Sequence, residues 1–417
     1  MLPPVLEIYV VWHPGDGQGA DTAKVIFEHF MQGPTFSGVI GGGVQVSFRS
    51  AAWEGPGTPP RPVYSEANPA PNGIRPARFV AVVPLLGTEL AASVEDTNSA
   101  WHAYIDSIRA TVEAAPGQFG AFPFLLSKGA TDSTQLGTIF GRYQFLAAGQ
   151  PEQNGEDTHS MLCRDLTQGI AQLISPDHMD RLTVFISHTK RHSNIEGEDV
   201  NALVGLVREV IGNTRLREYF DASDLQPGTD WDAELTRNAG TSAMLAIRTD
   251  LYSSRTWCQR EVAIAKTHGM PIIMMDAIGF GEERGSFLMD HMPRVAVRKR
   301  DGHWQKKDVY RALNLLVDEC LKRALWMHQR DLARERPELD VAWWAPHAPE
   351  PLTLSHWINA RIAQGIDAGE EGDLRILHPD PPLGPDEREV LINYAQTTRL
   401  GRGIDIMTPR QLATRGG

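Results

Sequence analysis

The stretch that most restricts the fold runs from residue 242 to residue 276. Two apolar runs, 242–249 (SAMLAIRT) and 270–276 (MPIIMMD), flank a helix-forming segment, 253–268 (SSRTWCQREVAIAKTH). Ala, Gln, Arg, Glu and Lys favour the helix, and Ser253 or Ser254 is placed to cap its start. The runs are of strand length and the connections are short. Strand, helix, strand in that order makes a βαβ unit, with both strands parallel in one sheet. Such sheets take ligands outside the carboxyl ends of their strands. The start of the helix falls at that edge. It carries an indole, Trp257, one turn before a carboxylate, Glu261, on the same face.

The same alternation extends through the chain. Residues 6–12 (LEIYVVW), 44–48 (VQVSF), 79–85 (FVAVVPL) and 122–126 read as strands, and 22–31, 98–115 and 158–174 as helices. Residues 51–77, rich in Pro, Gly and Ala, read as a long loop. Together they predict a first α/β domain, residues 1–178. Residues 182–187 (LTVFIS), 217–221 (REYFD), 242–249, 270–276 and 295–297 predict five strands of a second domain, residues 179–327. Its helices are expected at 198–211, 232–239, 253–268 and 308–326, the first and last with apolar residues at helical spacing. After residue 327 a charged segment (HQRDLARERPELD) leads into further strand and helix patterns, a small third α/β unit over 328–417.

At 417 residues the chain is too long for one ordinary core, which fits this division. A hydrophobic fraction of 41% and a charged fraction of 22% are those of a soluble globular protein. The net charge of −12 argues against broad binding to nucleic acid or to an anionic membrane. The N-terminus lacks a basic region and carries only a strand-length apolar run, so no signal peptide is expected. No apolar run approaches the roughly 20 residues that span a bilayer. The three cysteines, Cys163, Cys258 and Cys320, form no spaced framework, which points to a reducing cytoplasm. The histidines show no metal-ligand spacing, so no metal is expected.

One motif has two readings. Gly15, Gly17 and Ala20 fit G-x-G-x-x-A between a strand and a helix, the pattern of a dinucleotide turn. His13 and Pro14 lengthen the turn, and the only acid near the end of the second strand, Glu54, sits in Pro- and Gly-rich sequence. A flexible strand-to-helix loop is the other reading.

Three boxes in the second domain are similar to those of the TIR (Toll/interleukin-1 receptor) family. VFISHTKRHS at 184–193 resembles the first-strand box. FDASDLQPGTDW at 220–231 resembles the second strand and its following loop. SSRTWCQREV at 253–262 resembles the Trp-Cys-x-x-Glu helix box. They occur in order and at suitable spacing over about a third of the chain. The resemblance implies a flavodoxin-like TIR domain with a five-stranded parallel sheet. The first domain also looks like a distant repeat of it: Trp101 matches Trp257 by pattern, and Ile105 takes the place of Glu261. A degenerate TIR-like domain and an unrelated flavodoxin-like domain are both open for residues 1–178.

Many TIR domains, especially bacterial and plant ones, hydrolyse NAD. The resemblance implies that activity here, with NAD+ as substrate and no separate cofactor. Glu261 is then the catalytic acid, and Trp257 stacks on the substrate or shapes the pocket. The first-strand box gives Phe185, Ser187 and His188 a place near the adenine or ribose, and Lys190 and Arg191 a place near the pyrophosphate. His188 stands where other members often carry Tyr. The loop holding Asp224, Gly228 and Trp231 resembles the one that reaches a neighbouring subunit in TIR assemblies. Cys258 belongs to the helix box as a structural residue. The family also implies self-association, an activating ligand or partner for the outer domains, a cytoplasmic location and a role in bacterial antiphage defence. The rival expectation is a TIR scaffold that assembles without catalysis.

Overall fold

A computed structural model of the chain describes all residues except 1–3, 34, 37–43, 66–68, 70, 72, 74–75, 148–155, 176–181, 190–196, 220–241, 283, 336–338, 366–371, 401 and 416–417. The chain divides into two compact units, Met1–His178 and Met179–Gly417. Each is α/β, and their main sheets are parallel.

The first unit contains β1 (Leu6–Val11), α1 (Gly17–Phe27), β2 (Val44–Arg49), β3 (Phe79–Leu86), α2 (Thr88–Glu95), α3 (Ala100–Ala114), β4 (Phe119–Ala121), β5 (Phe124–Leu125), α4 (Thr134–Phe140), β6 (Leu146–Ala147) and α5 (Thr158–Ile174). The sheet runs β2-β1-β3-β5-β6, with β4 also on β3. Every residue of β3 is buried, as a central parallel strand covered on both faces requires. The sequence predicts α1 from residue 22; it begins at Gly17. Glycines 17 and 19 lower intrinsic propensity, but packing decides: a Cβ at Gly19 would lie 2.4 Å from Trp12 Cδ1.

The turn before α1 is a packed joint. The Asp16 carboxylate accepts the Glu89 and Leu90 amides at 2.9 and 3.0 Å, holding the start of α2. Gly87 makes room for it, since a Cβ there would lie 2.2 Å from Asp16 Cγ. Trp101 and Ile105 are both buried in the core with Tyr9 and Val82.

The second unit opens with β7 (Thr183–Ser187), α6 (Gly197–Gly212), β8 (Arg217–Tyr219), β9 (Ser242–Arg248), α7 (Thr256–Thr267), β10 (Ile272–Asp276) and β11 (Arg294–Ala296). A short antiparallel hairpin, β12 (Lys299–Arg300) and β13 (His303–Trp304), leads into α8 (Lys306–Arg334). The sheet order is β11-β10-β9-β7-β8, parallel throughout. Counted along the chain this is 2-1-3-4-5, a doubly wound order. Period-two alternation splits the core. Val184, Ile186 and Leu245 face α6 and α8. Phe185, Met244 and Met274 face α7 with Val262 and Ala265.

The rest of this unit is β14 (Trp343–Trp344), α9 (Pro351–Gln364), β15 (Leu374–Leu377), α10 (Pro385–Gln396), β16 (Ile404–Met407) and α11 (Pro409–Arg415). Its three strands form a parallel sheet in chain order. The sequence predicts α8 to close at residue 326, yet it continues to Arg334. Beyond that point Leu332 and Ala333 are buried. Trp326 itself packs with Leu377 and Met407, and its ring lies 5.3 Å from that of Trp344. The charged residues at the start of the segment after residue 327 decorate a helix whose other face is buried.

Candidate functional site

β7 ends at Ser187, and β9 ends one residue before Thr249, so both deliver polar side chains to the carboxyl edge of the sheet. Glu261 comes to the same place from α7. It is 2% exposed, and Ser187 Oγ donates to its Oε2 at 2.5 Å. The Ser187 hydroxyl also meets the Tyr252 hydroxyl at 2.6 Å. Its one proton is directed at Glu261, so Tyr252 is the donor in that contact. Tyr252 is fully buried in the turn before α7. Burial first, then the neighbouring Cys258 and Glu261, push its hydroxyl well above the ordinary tyrosine value. The result is a buried relay, Tyr252 to Ser187 to Glu261, joining that turn, β7 and α7.

Trp257, one turn before Glu261, is 39% exposed. The same helix thus presents its indole to solvent while its carboxylate points inward. The sequence predicts a serine cap for this helix, but Arg255 takes the cap position. Ser253 donates instead to Glu282, and Ser254 to the Leu251 carbonyl. Cys258 is buried, with its Sγ 3.8 Å from the His188 carbonyl, a structural contact. His188 is partly buried, and its Nδ1 meets the Thr189 carbonyl at 3.0 Å. Phe185 is fully buried in the core beneath α7. Ser187, His188 and Glu261 therefore come together at the end of β7, while Trp257 stands exposed one turn earlier on α7. Lys190, Arg191, Asp224, Gly228 and Trp231 lie outside the described residues.

Several residues here were not singled out by sequence. Arg248, at the end of β9, donates from Nε to Glu282 at 3.0 Å, pairs with it again through Nη2, and lies 3.7 Å from Asp276. Burial raises the Glu282 carboxyl, but the bonds from Arg248 and Ser253 outweigh that and hold it below its usual value. Asp250 accepts the amides of Gly279, Phe280 and Gly281 at 3.0, 3.0 and 3.1 Å. These contacts strap the segment after β10 across the carboxyl edge. The only sequence signal for them was an Arg and an Asp at the end of an otherwise apolar run. Thr189 and Thr249 are both buried at this edge, each with an Oγ1 that has no hydrogen-bond partner among the described residues.

A cleft of about 450 Å³ opens beside this edge, lined by Thr249, Asp250, Phe280, Arg298 and Trp304 among others. Clefts of about 320 and 330 Å³ lie elsewhere, and Glu261 lines none of the three. Among the described residues no group of three or more His, Cys, Asp or Glu is placed to hold a metal ion, and no helix is long and apolar enough to cross a membrane.

No family model matches the chain, and no curated protein matches it. Among solved structures it is similar to the crystal structure of tagatose-6-phosphate ketose/aldose isomerase from Escherichia coli, at 12% identity over 79% of this chain and 84% of that one. The TM-score is 0.19, too low to bear on fold or activity.

Proposed function

We propose that residues 179–327 are a TIR domain that cleaves the nicotinamide–ribose bond of NAD+, giving nicotinamide and ADP-ribose or a cyclic form. The observation that carries this reading is the position of Glu261 at the carboxyl edge, bonded to Ser187 of β7 and one turn from the exposed Trp257. The three sequence boxes and the 2-1-3-4-5 strand order support it. Cleavage passes through an oxocarbenium-like state on the ribose. Nicotinamide is cationic in NAD+ and leaves neutral, so no strong general acid is required. A fixed carboxylate beside the ribose stabilises the developing positive charge. Ser187 orients Glu261 for this, and Trp257 offers a ring face to the substrate. In a bacterial cell such an activity depletes NAD+, which fits the family's association with antiphage defence.

The second reading is a scaffold that assembles through its TIR domain without catalysis. It is favoured by one observation: Glu261 is 2% exposed and is engaged by Ser187. The test is NAD+ consumption by the purified full chain at high concentration with a crowding agent, beside Glu261→Gln. The expected result is turnover by the parent and a rate lower by on the order of 100-fold or more in the variant. Equal turnover in both rejects Glu261 as the catalytic residue. Self-association without turnover supports the scaffold.

A further inference from the structure

The carboxyl end of the three-stranded sheet bounds a cleft of about 320 Å³. The segments after β14 and β15 form one wall, and α8 with the segment before β11 forms the other. Asp380, three residues after β15, lines the cleft and is 8% exposed. Neither of its carboxylate oxygens has a hydrogen-bond partner among the described residues, although both are shielded from water. Its neighbour His378 is no cation, because burial pushes the imidazole below its usual value. Across the same cleft stands Arg323 of α8. One amino group, Nη2, donates to the His268 carbonyl, while Nη1 is shielded and has no hydrogen-bond partner. Burial lowers its pKa, Cys320 opposes this, and no carboxylate pairs with it among the described residues. Other polar side chains of the cleft have partners: Lys322 pairs with Glu319 at 3.7 Å, and the His291 imidazole lies 3.9 Å from the Glu387 carboxylate. His347, beside Arg323 and Lys322, is neutral near pH 7, with its pKa pushed down to about 4.

A shielded carboxyl group and a guanidinium with one shielded, unbonded nitrogen thus line one cleft, and no ion pair joins them among the described residues. Burial leaves both Asp380 oxygens and Arg323 Nη1 without the hydrogen bonds that water would give them. A simple anion would answer Arg323 and leave Asp380 bare; a simple cation would do the reverse. A small molecule with opposite charges at its two ends answers both. The cleft volume suits a small ligand, and its position outside the carboxyl ends of parallel strands is where such sheets bind them. No Phe, Tyr or Trp lines it, so nothing there stacks on a nucleobase. We propose that this cleft binds an amino-acid-sized zwitterion, with the ligand ammonium on Asp380 and the ligand carboxylate on Arg323. The site is separate from Glu261, and its occupancy is measured without NAD+ turnover.

The test is calorimetric titration and thermal unfolding of the full chain with each of the common free L-amino acids. Acetate, methylamine and inorganic phosphate serve as single-charge probes. The expected result is binding of one or a few amino acids, with an unfolding temperature about 5 °C higher at a hundredfold excess over Kd. Asp380→Asn should weaken binding by at least about tenfold. It should also unfold no earlier than the parent without ligand, since neither carboxylate oxygen has a hydrogen-bond partner to lose. Arg323→Met should weaken binding comparably. Absence of amino-acid binding at 10-millimolar order (about 100 times a typical weak Kd) overturns the proposal. So does binding unaffected by Asp380→Asn, or phosphate binding as tightly as any amino acid.

Discussion

Ser187 does more than its size suggests. It is the last residue of β7, its hydroxyl donates to a buried carboxylate, and it accepts from a buried tyrosine. Replacing it with alanine leaves Glu261 without that donor and Tyr252 without that acceptor. The expected cost for Ser187→Ala is about 1–3 kcal/mol, read as a lower urea midpoint with an unchanged slope. Tyr252→Phe removes only the outer hydroxyl and should cost about 1 kcal/mol. If the alanine variant is as stable as the parent, the relay is not a structural element. His347 sets a second residue-scale expectation. Burial, then the charges of Arg323 and Lys322, lower its pKa from 6.5 to about 4, while Gly269 and Met270 carbonyls partly oppose them. Unfolded, it takes up a proton near pH 6.5; folded, only near pH 4. Its contribution is therefore present above pH 6.5 and lost as pH falls from there towards 4, by at most about 3 kcal/mol. Between pH 7 and pH 4.5 the parent should lose more stability than His347→Gln, and equal losses would reject the assignment.

At the scale of elements, α7 is held at its middle and at its end. Its middle meets β7 through Glu261 and Ser187; its end meets the segment before α9 through Lys266. The ammonium of Lys266 lies 2.8 Å from Glu350 and donates to the Asp290 carbonyl at 2.6 Å. Lys266 and Glu350 are each 5% exposed. Burial lowers the pKa of Lys266 and raises that of Glu350, and each partner opposes the other's shift. Lys266→Met strands Glu350 and should cost about 3–5 kcal/mol; the double change Lys266→Met with Glu350→Gln should recover most of it. Additive losses in urea unfolding would show that the two do not interact. None of this was legible in the sequence. The helical period gives spacing within a helix but not what lies 84 residues further on. By contrast α5 and the buried strands were legible, since an amphipathic period or a continuous apolar run dictates one burial pattern. The start of α1 was hidden by glycines that only the approach of Trp12 explains. For the candidate site, the indole and carboxylate one turn apart could be read directly. Ser187 was expected near substrate, but its bond to Glu261 depends on the parallel register of β7 with β9, which no local pattern states.

At the scale of the whole chain, α8 decides how residues 179–417 can be divided. A cut after residue 327 is natural by composition, because charged residues cluster there. The helix itself has no break at that point. Its first half packs Leu313, Leu316 and Val317 against the five-stranded sheet. Its second half buries Leu332 and Ala333, and Trp326 at the junction packs on Leu377 and Met407 of the smaller sheet. The Lys266–Glu350 pair adds a polar tie across the same boundary. Truncation at 327 would expose Trp326 and remove both the carboxylate that pairs with Lys266 and the helix that packs on α7. Apolar surface opened in this way weakens a domain whose whole stability is typically about 5–15 kcal/mol. A fragment of residues 179–417 should therefore unfold in one cooperative transition, with its tryptophan fluorescence and far-ultraviolet circular dichroism changing together. A fragment of residues 179–327 should unfold at a markedly lower urea concentration or be recovered aggregated. Equal midpoints for the two fragments would mean that the five-stranded sheet closes its own core and that α8 merely carries the smaller sheet.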